Sequence, residues 1–297
     1  MNILFEPIGF EFFRQGVIAS VFVGALCGML GVYVVLRRMS YIGHGLSHSV
    51  FGGAVIAYVA SINFYLGAGL WGFLSALLIN ATARRRKIGA DAAIGIVTTA
   101  SFAVGVALIS RTRSFTRDFE AALFGNILGV TPADLVVVAV VALAVGAFLV
   151  LFYKQLFFMT FDPEVAPIHG VPSGRVDVLF ALALAATIVA SINVVGVTLI
   201  AATLVIPATT ARLLTDSFGR MVAISTLLGA ASGLVGMYLS YWLDISSGAT
   251  IVLLEAALFA LVALRDRLFR GFAGRTAMAD PVAEREPSVK SQLGRLG

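Results

Sequence analysis

The chain is 297 residues long, 59% hydrophobic and only 12% charged, with a mean hydropathy of +0.98. Soluble domains carry about a quarter charged residues, so this composition excludes an ordinary water-soluble domain and describes a polytopic membrane protein. The net charge of +5 comes mainly from arginines in short clusters between apolar runs, which orient a membrane chain rather than build a nucleic-acid surface; no nucleic-acid partner is expected.

Residues 1–13 carry Glu6 and Glu11 and no basic residue before Arg14. A cleaved signal peptide needs a positive leading region, so the first apolar segment is expected to remain in the mature protein. Runs of about 20 apolar residues are required to cross a bilayer as helix. They fall at 15–36, 42–61, 65–83, 91–110, 132–153, 176–193, 195–213, 220–242 and 248–265. This predicts an all-α membrane protein of eight or nine transmembrane helices. The count turns on 176–213, where Asn193-Val194-Val195-Gly196 and Pro207 interrupt the apolar stretch and predict one broken or re-entrant region. Cys27, the single cysteine, lies in the first run, which excludes an intrachain disulfide and a cysteine-based zinc site and favours a packing role.

Lysine and arginine in short loops mark the cytoplasmic side. The groups Arg37-Arg38, Arg84 to Lys87, Lys154 with Arg175, Arg212 with Arg220, and Arg265 to Arg270 alternate consistently with nine spans, placing the amino terminus outside and the carboxyl terminus inside. Arg111, Arg113 and Arg117 run against this scheme, with Asp118 and Glu120 close behind. Glycines at Gly24, Gly28 and Gly31 and at Gly229, Gly233 and Gly236 offer faces on which helix backbones can approach closely.

The chemistry-bearing pair is His44 and His48, in the second run. An i, i+4 spacing on a helix puts both imidazoles on one face, about 5–6 Å apart at Cβ, within reach of one borderline cation. Ionisable groups inside a bilayer cost roughly 2.5–3.5 kcal/mol each and usually face a cavity, a partner or an ion path. The only other histidine, His169, falls in a loop and reads as a surface residue. Neutral imidazole ligates and imidazolium does not, so acidification is expected to weaken such a site.

The loop 161–172 reads Phe161-Asp162-Pro163-Glu164-Val165-Ala166-Pro167-Ile168-His169-Gly170-Val171-Pro172. Asp162 suits an N-cap, Pro163 the first helical position and Glu164 the first-turn dipole; Pro167 and Gly170 limit the length. A short water-side helix is predicted, shaped either as a plain connector or to press into a partner. Further on, Asn193 and Pro207 could expose backbone carbonyls to a path, Asp244 falls in a turn, and Glu255 lies inside the last apolar run, as path-lining group or as a protonated or helix-paired carboxyl. Residues 1–271 are read as the transmembrane domain and 272–297 as a polar, disordered cytoplasmic tail.

Four segments in order resemble the membrane permease of metal-type ATP-binding-cassette importers for zinc, manganese or iron(II). They are Leu36-Arg37-Arg38-Met39-Ser40 with Ile42-Gly43 and Leu46-Ser47-His48; Phe161-Asp162-Pro163-Glu164-Val165-Ala166; Leu204-Val205-Ile206-Pro207-Ala208 with Ala211-Arg212-Leu213-Leu214; and Leu239-Ser240-Tyr241 through Ser247-Gly248-Ala249-Thr250. The resemblance implies that Asp162, Pro163, Glu164, Val165 and Ala166 form the element that docks on a separate ATPase. It also implies an extracytoplasmic metal-binding protein as donor, a bacterial inner membrane and a second permease copy, most simply a homodimer. The family pattern reads Gly-Asp-x-Leu-x-His, so His48 takes the family histidine and His44 stands where the aspartate is expected. An imidazole in place of a carboxylate moves the site toward nitrogen ligation, which suits Zn²⁺ better than Mn²⁺, and two copies would bring four imidazoles together. A transport site must also release its ion, so loose coordination is expected.

No permanently bound cofactor is expected: metal is substrate, and ATP is used by the partner. The chain has no Gly-Lys-Ser or Gly-Lys-Thr phosphate loop, and none of its lysines follows a glycine. An ATP-independent secondary transporter is the alternative of another class; it would have no use for a docking element at 161–172. An intramembrane metalloprotease is disfavoured, because His44-Gly45-Leu46-Ser47-His48 lacks the glutamate of His-Glu-x-x-His.

Overall fold

A computed structural model of the chain describes residues 6–83, 90–112, 123–125 and 129–277. After a 3₁₀ turn at Pro7–Gly9, ten helices follow among these residues: α1 Glu11–Leu36, α2 Ser40–Val59, α3 Phe64–Ala83, α4 Ala90–Thr112, α5 Pro132–Leu151, α6 Tyr153–Phe161, α7 Ser173–Val195, α8 Ile200–Leu214, α9 Phe218–Leu243 and α10 Ser247–Ala277. The basic run 84–87, the residues Arg113, Arg117, Asp118 and Glu120, and the tail beyond Ala277 lie outside the described residues. The last helix itself continues past residue 271.

Seven helices, α1, α3, α4, α5, α7, α9 and α10, are long and apolar enough to cross a membrane. The other two of the nine sequence runs fall short for different reasons. α2 is 20 residues long but diluted by two histidines, four glycines and three serines, and α8 has only 15 residues. The predicted break is present: α7 stops at Val195, Gly196 takes φ +87°, and α8 restarts at Ile200.

α1 and α9 meet in a backbone-to-backbone seam. A Cβ on Gly24 would stand 2.2 Å from the carbonyl oxygen of Gly229, and one on Gly229 2.1 Å from that of Gly24. One turn along on either side, the Ser225 hydroxyl donates to the Gly28 carbonyl at 2.6 Å and the Ser20 hydroxyl to the Gly233 carbonyl at 3.2 Å. Small residues let helix axes close up in this way and let side-chain hydroxyls bond across the gap. The register 20/233, 24/229, 28/225 makes α1 and α9 antiparallel. Gly53 on Trp71 and Gly67 on Ala57 make α2 and α3 antiparallel, whereas Gly45 on Thr98 and Gly52 on Ser101 make α2 and α4 parallel.

Two sequence expectations need correction. The run 132–153 does not continue to one smooth end: α5 closes at Leu151, and a separate helix, α6, follows after Phe152. The water-side segment is not a helix: residues 163–170 form consecutive turns. The cap itself is made, because the Asp162 carboxylate accepts from the Val165 N–H at 3.1 Å, and the Ala166 N–H reaches the Asp162 carbonyl at 3.1 Å. Pro167 then has no N–H to return to residue 163 and its ring crowds that carbonyl, while Gly170, at φ +76°, turns the chain away.

Candidate metal site

Helix α2 carries the pair predicted to ligate metal, and the helical register brings the rings together. The His44 and His48 centroids lie 4.6 Å apart at 82°. His44 is exposed on the surface of the protomer and His48 is half-buried. The His48 Nδ1 is buried with no hydrogen-bond partner, so that ring retains a lone-pair or N–H function that nothing around it uses. Both rings line a cavity of about 320 Å³ with Tyr41, Gly45, Gly95, Thr98, Thr99 and Phe102.

The far wall of this cavity comes from α4, which sequence reasoning missed. Gly45 admits it: a Cβ there would stand 2.5 Å from Ile94 Cγ2 and 2.7 Å from Thr98 Cγ2. The close approach sets Phe102 edge-on to His48, with centroids 5.0 Å apart at 79°, an arrangement that favours one ring orientation. The signal was available in the spacing Gly95, Thr98, Thr99 and Phe102, which places one small or polar stripe on a helix face within an otherwise apolar run. On the other side, the Tyr41 ring lies 6.0 Å from His44, tilted at 57°. Among the described residues no cluster of three or more histidines, cysteines or carboxylates forms, so one protomer offers two imidazoles to a cation.

The remaining sequence candidates sit elsewhere. The Asn193 amide donates to the Tyr65 hydroxyl at 3.0 Å and to the Asp134 carboxylate at 3.3 Å. Tyr65 also donates to Asp134, whose second oxygen accepts from the Thr131 N–H and hydroxyl, both at 2.8 Å. This network ties the starts of α3 and α5 to the end of α7 and completes a capping box on α5. Pro207 and Glu255 share a gap with Thr210, Leu228, Ser232 and Leu258 that admits no water-sized sphere. Glu255 is 2% exposed and neither carboxyl oxygen has a hydrogen-bond partner. Neither of these two, nor Asn193, lines the cavity of the histidine pair. In the turn segment, Asp162, Pro163 and Glu164 are exposed, Val165 is half-buried and Ala166 is fully buried; Ile168 stands 81% exposed at the tip.

The chain is a multi-pass helical bundle with a histidine pair on a cavity that opens at its surface. Residues 9–266 match the family described as the ABC 3 transport family. The chain is 37% identical over 256 residues, 86% of its length and 88% of the relative's, to the manganese transport system membrane protein MntC of Halalkalibacterium halodurans. It is 34% identical over 259 residues, 87% of its length and 88% of the relative's, to the chelated iron transport system membrane protein YfeC of Yersinia pestis. Its structure superposes on a chain of PsaBC from Streptococcus pneumoniae, solved in complex with Fab, with a TM-score of 0.80 and 31% identity, covering 88% of this chain and 94% of that one. The chain belongs to the ABC 3 transport family, as a permease of metal ATP-binding-cassette transporters. Membership implies two kinds of partner, an ATPase and a substrate-binding protein.

Proposed function

We propose that this chain is the translocating subunit of an ATP-driven importer for a divalent transition metal, with Zn²⁺ as its first cargo. The observation that carries the reading is the pair of adjacent imidazoles on one cavity wall, where a carboxylate and an imidazole are the family's usual pair. Zinc takes nitrogen ligands readily and tetrahedrally, whereas harder oxygen donors suit manganese. The names of the relatives favour a second reading within the same machine, manganese or iron(II) as cargo.

Two imidazoles leave a tetrahedral ion half-coordinated. The exposure of His44 at the protomer surface supports completion by a second copy of the chain in a homodimer, which supplies four imidazoles. The turns at 162–170 serve as the docking element for the ATPase: Asp162 to Val165 form a capped exposed rim, Ala166 anchors it, and Ile168 offers an apolar tip. That element then faces the cytoplasm of a bacterium, with the inner membrane as the protein's location, the carboxyl terminus on the same side and the delivering metal-binding protein on the other. No cofactor resides in the chain, and ATP is hydrolysed by the partner.

The test is uptake of radioactive zinc into proteoliposomes containing the permease, its ATPase and its binding protein. The variant carrying both His44→Ala and His48→Ala should lose zinc uptake at least tenfold while the complex still hydrolyses ATP. His44→Asp should move the zinc-over-manganese preference about tenfold toward manganese. Unchanged zinc uptake in the double variant removes the pair from the mechanism, and uptake that continues with a hydrolysis-dead ATPase favours a secondary transporter. Manganese outcompeting zinc in the wild type selects the second reading.

A further inference from the structure

Three aromatic residues of α6, Tyr153, Phe157 and Phe161, recur at i, i+4 and i+8 and form one stripe. All three rings meet a single side chain from another element. Phe218, at the first position of α9, lies 5.9 Å from Tyr153, 5.3 Å from Phe157 and 5.8 Å from Phe161, the last two edge-on. Tyr153, Phe157 and Phe161 are each more than a third exposed, whereas Phe218 is 8% exposed. The stripe packs on Phe218 from the side of α9, while Leu156 and Met159 of the same helix are buried in the core.

Phe218 has a fourth ring neighbour, Tyr33 near the end of α1, edge-on at 5.4 Å. Tyr33 in turn contacts Phe180 of α7 at 6.2 Å. One turn after Tyr33, Arg37 lies over the Phe180 ring at 5.1 Å and pairs with Asp177. Arg37 closes α1, Arg38 turns the chain at φ +55°, and α2 begins at Ser40, four residues before His44. At the other end of α6, Asp162 is both the C-cap of that helix and the cap of the docking turns. The rings thus join the turn segment to the hinge from which the histidine helix departs.

We propose that Phe218 is a positioning residue for transport: it fixes α6 against the α1 end, so that displacement of the docking turns by the ATPase reaches the α1–α2 hinge. The inference rests on the reading of 162–170 as the docking element. The contribution of Phe218 lies in stiffness. A helix of nine residues that leaned on aliphatic side chains alone could rock while its end was pushed; three of its rings on one ring, itself set edge-on to Tyr33 of α1, restrict its angle.

The experiment uses the complete complex in proteoliposomes and reads metal transported per ATP hydrolysed. Phe218→Leu retains most of the apolar volume and removes the ring; it should assemble with the ATPase and hydrolyse ATP, while metal transported per ATP falls about tenfold, the scale of an interaction between coupled sites. Phe218→Tyr should restore the ratio to within about twofold of wild type. If Phe218→Leu transports and hydrolyses in the wild-type ratio, the inference is wrong. Glu164→Arg, measured alongside, tests the underlying reading separately, because it should lose ATPase binding. Glu164→Arg that binds and couples normally sinks the docking assignment and the inference with it. Loss of binding in Glu164→Arg together with a normal ratio in Phe218→Leu sinks the inference alone.

Discussion

Phe102 supports the orientation of His48, since the two rings meet edge-on and the Nδ1 of His48 has no hydrogen bond to hold it. Phe102→Ala should leave the fold intact and weaken metal binding about tenfold by releasing the ring, as loss of a supporting contact to a ligating imidazole commonly does; apparent KM for uptake, with kcat held as the control, is the measurement. Gly45→Val should act differently, by pushing α4 off α2, and should lower the melting temperature in detergent as well as uptake. The proximity of His44 and His48 was legible in the sequence because two histidines one turn apart are conspicuous against an apolar background. The surroundings of the pair were not, because Thr98, Thr99 and Phe102 are ordinary members of a membrane helix until Gly45 shows which face touches them. The partners of Asn193 were not legible either, because Tyr65 and Asp134 are 128 and 59 residues away.

At the scale of elements, each of the nine apolar runs coincides with a helix, seven of them long and apolar enough to cross a membrane, but hydropathy could not see α6, which continues the apolar run of α5 without a glycine or proline at Phe152. The stripe of Tyr153, Phe157 and Phe161 was its only mark. Conversely, the cap chemistry at Asp162 was read correctly and the helix behind it was not, since a cap satisfies the first N–H groups and cannot supply the donor that Pro167 lacks. The polar network joining α3, α5 and α7 gives a direct test. Tyr65→Phe removes the hydroxyl that bonds Asp134 and accepts from Asn193, and should destabilise the protein by about 1–3 kcal/mol, the cost of leaving a buried polar group short of a partner. The measurement is thermal unfolding in detergent. Thr131→Ala, which strips the cap of α5, should cost about 1 kcal/mol.

For the whole molecule, helix directions make the sidedness explicit. α3 and α5 begin where α7 ends, at the Asn193 network, while the α1–α2 turn, the turns at 162–170 and the start of α9 gather at the opposite end. Cys27 is buried, so the native chain gives a silent background for labelling. A cysteine introduced at His169 should react with an impermeant maleimide only from the cytoplasmic face, and one at Asp244 only from the outer face; same-side labelling of both would contradict the alternation. The glycine seam adds a constraint on motion. Helices that meet through side chains can slide past one another by changing rotamers, whereas α1 and α9 meet through peptide groups at three successive turns, and peptide groups have no rotamers to change. The two helices must travel as one strut, so any opening and closing of the permease is confined to the helices around that strut.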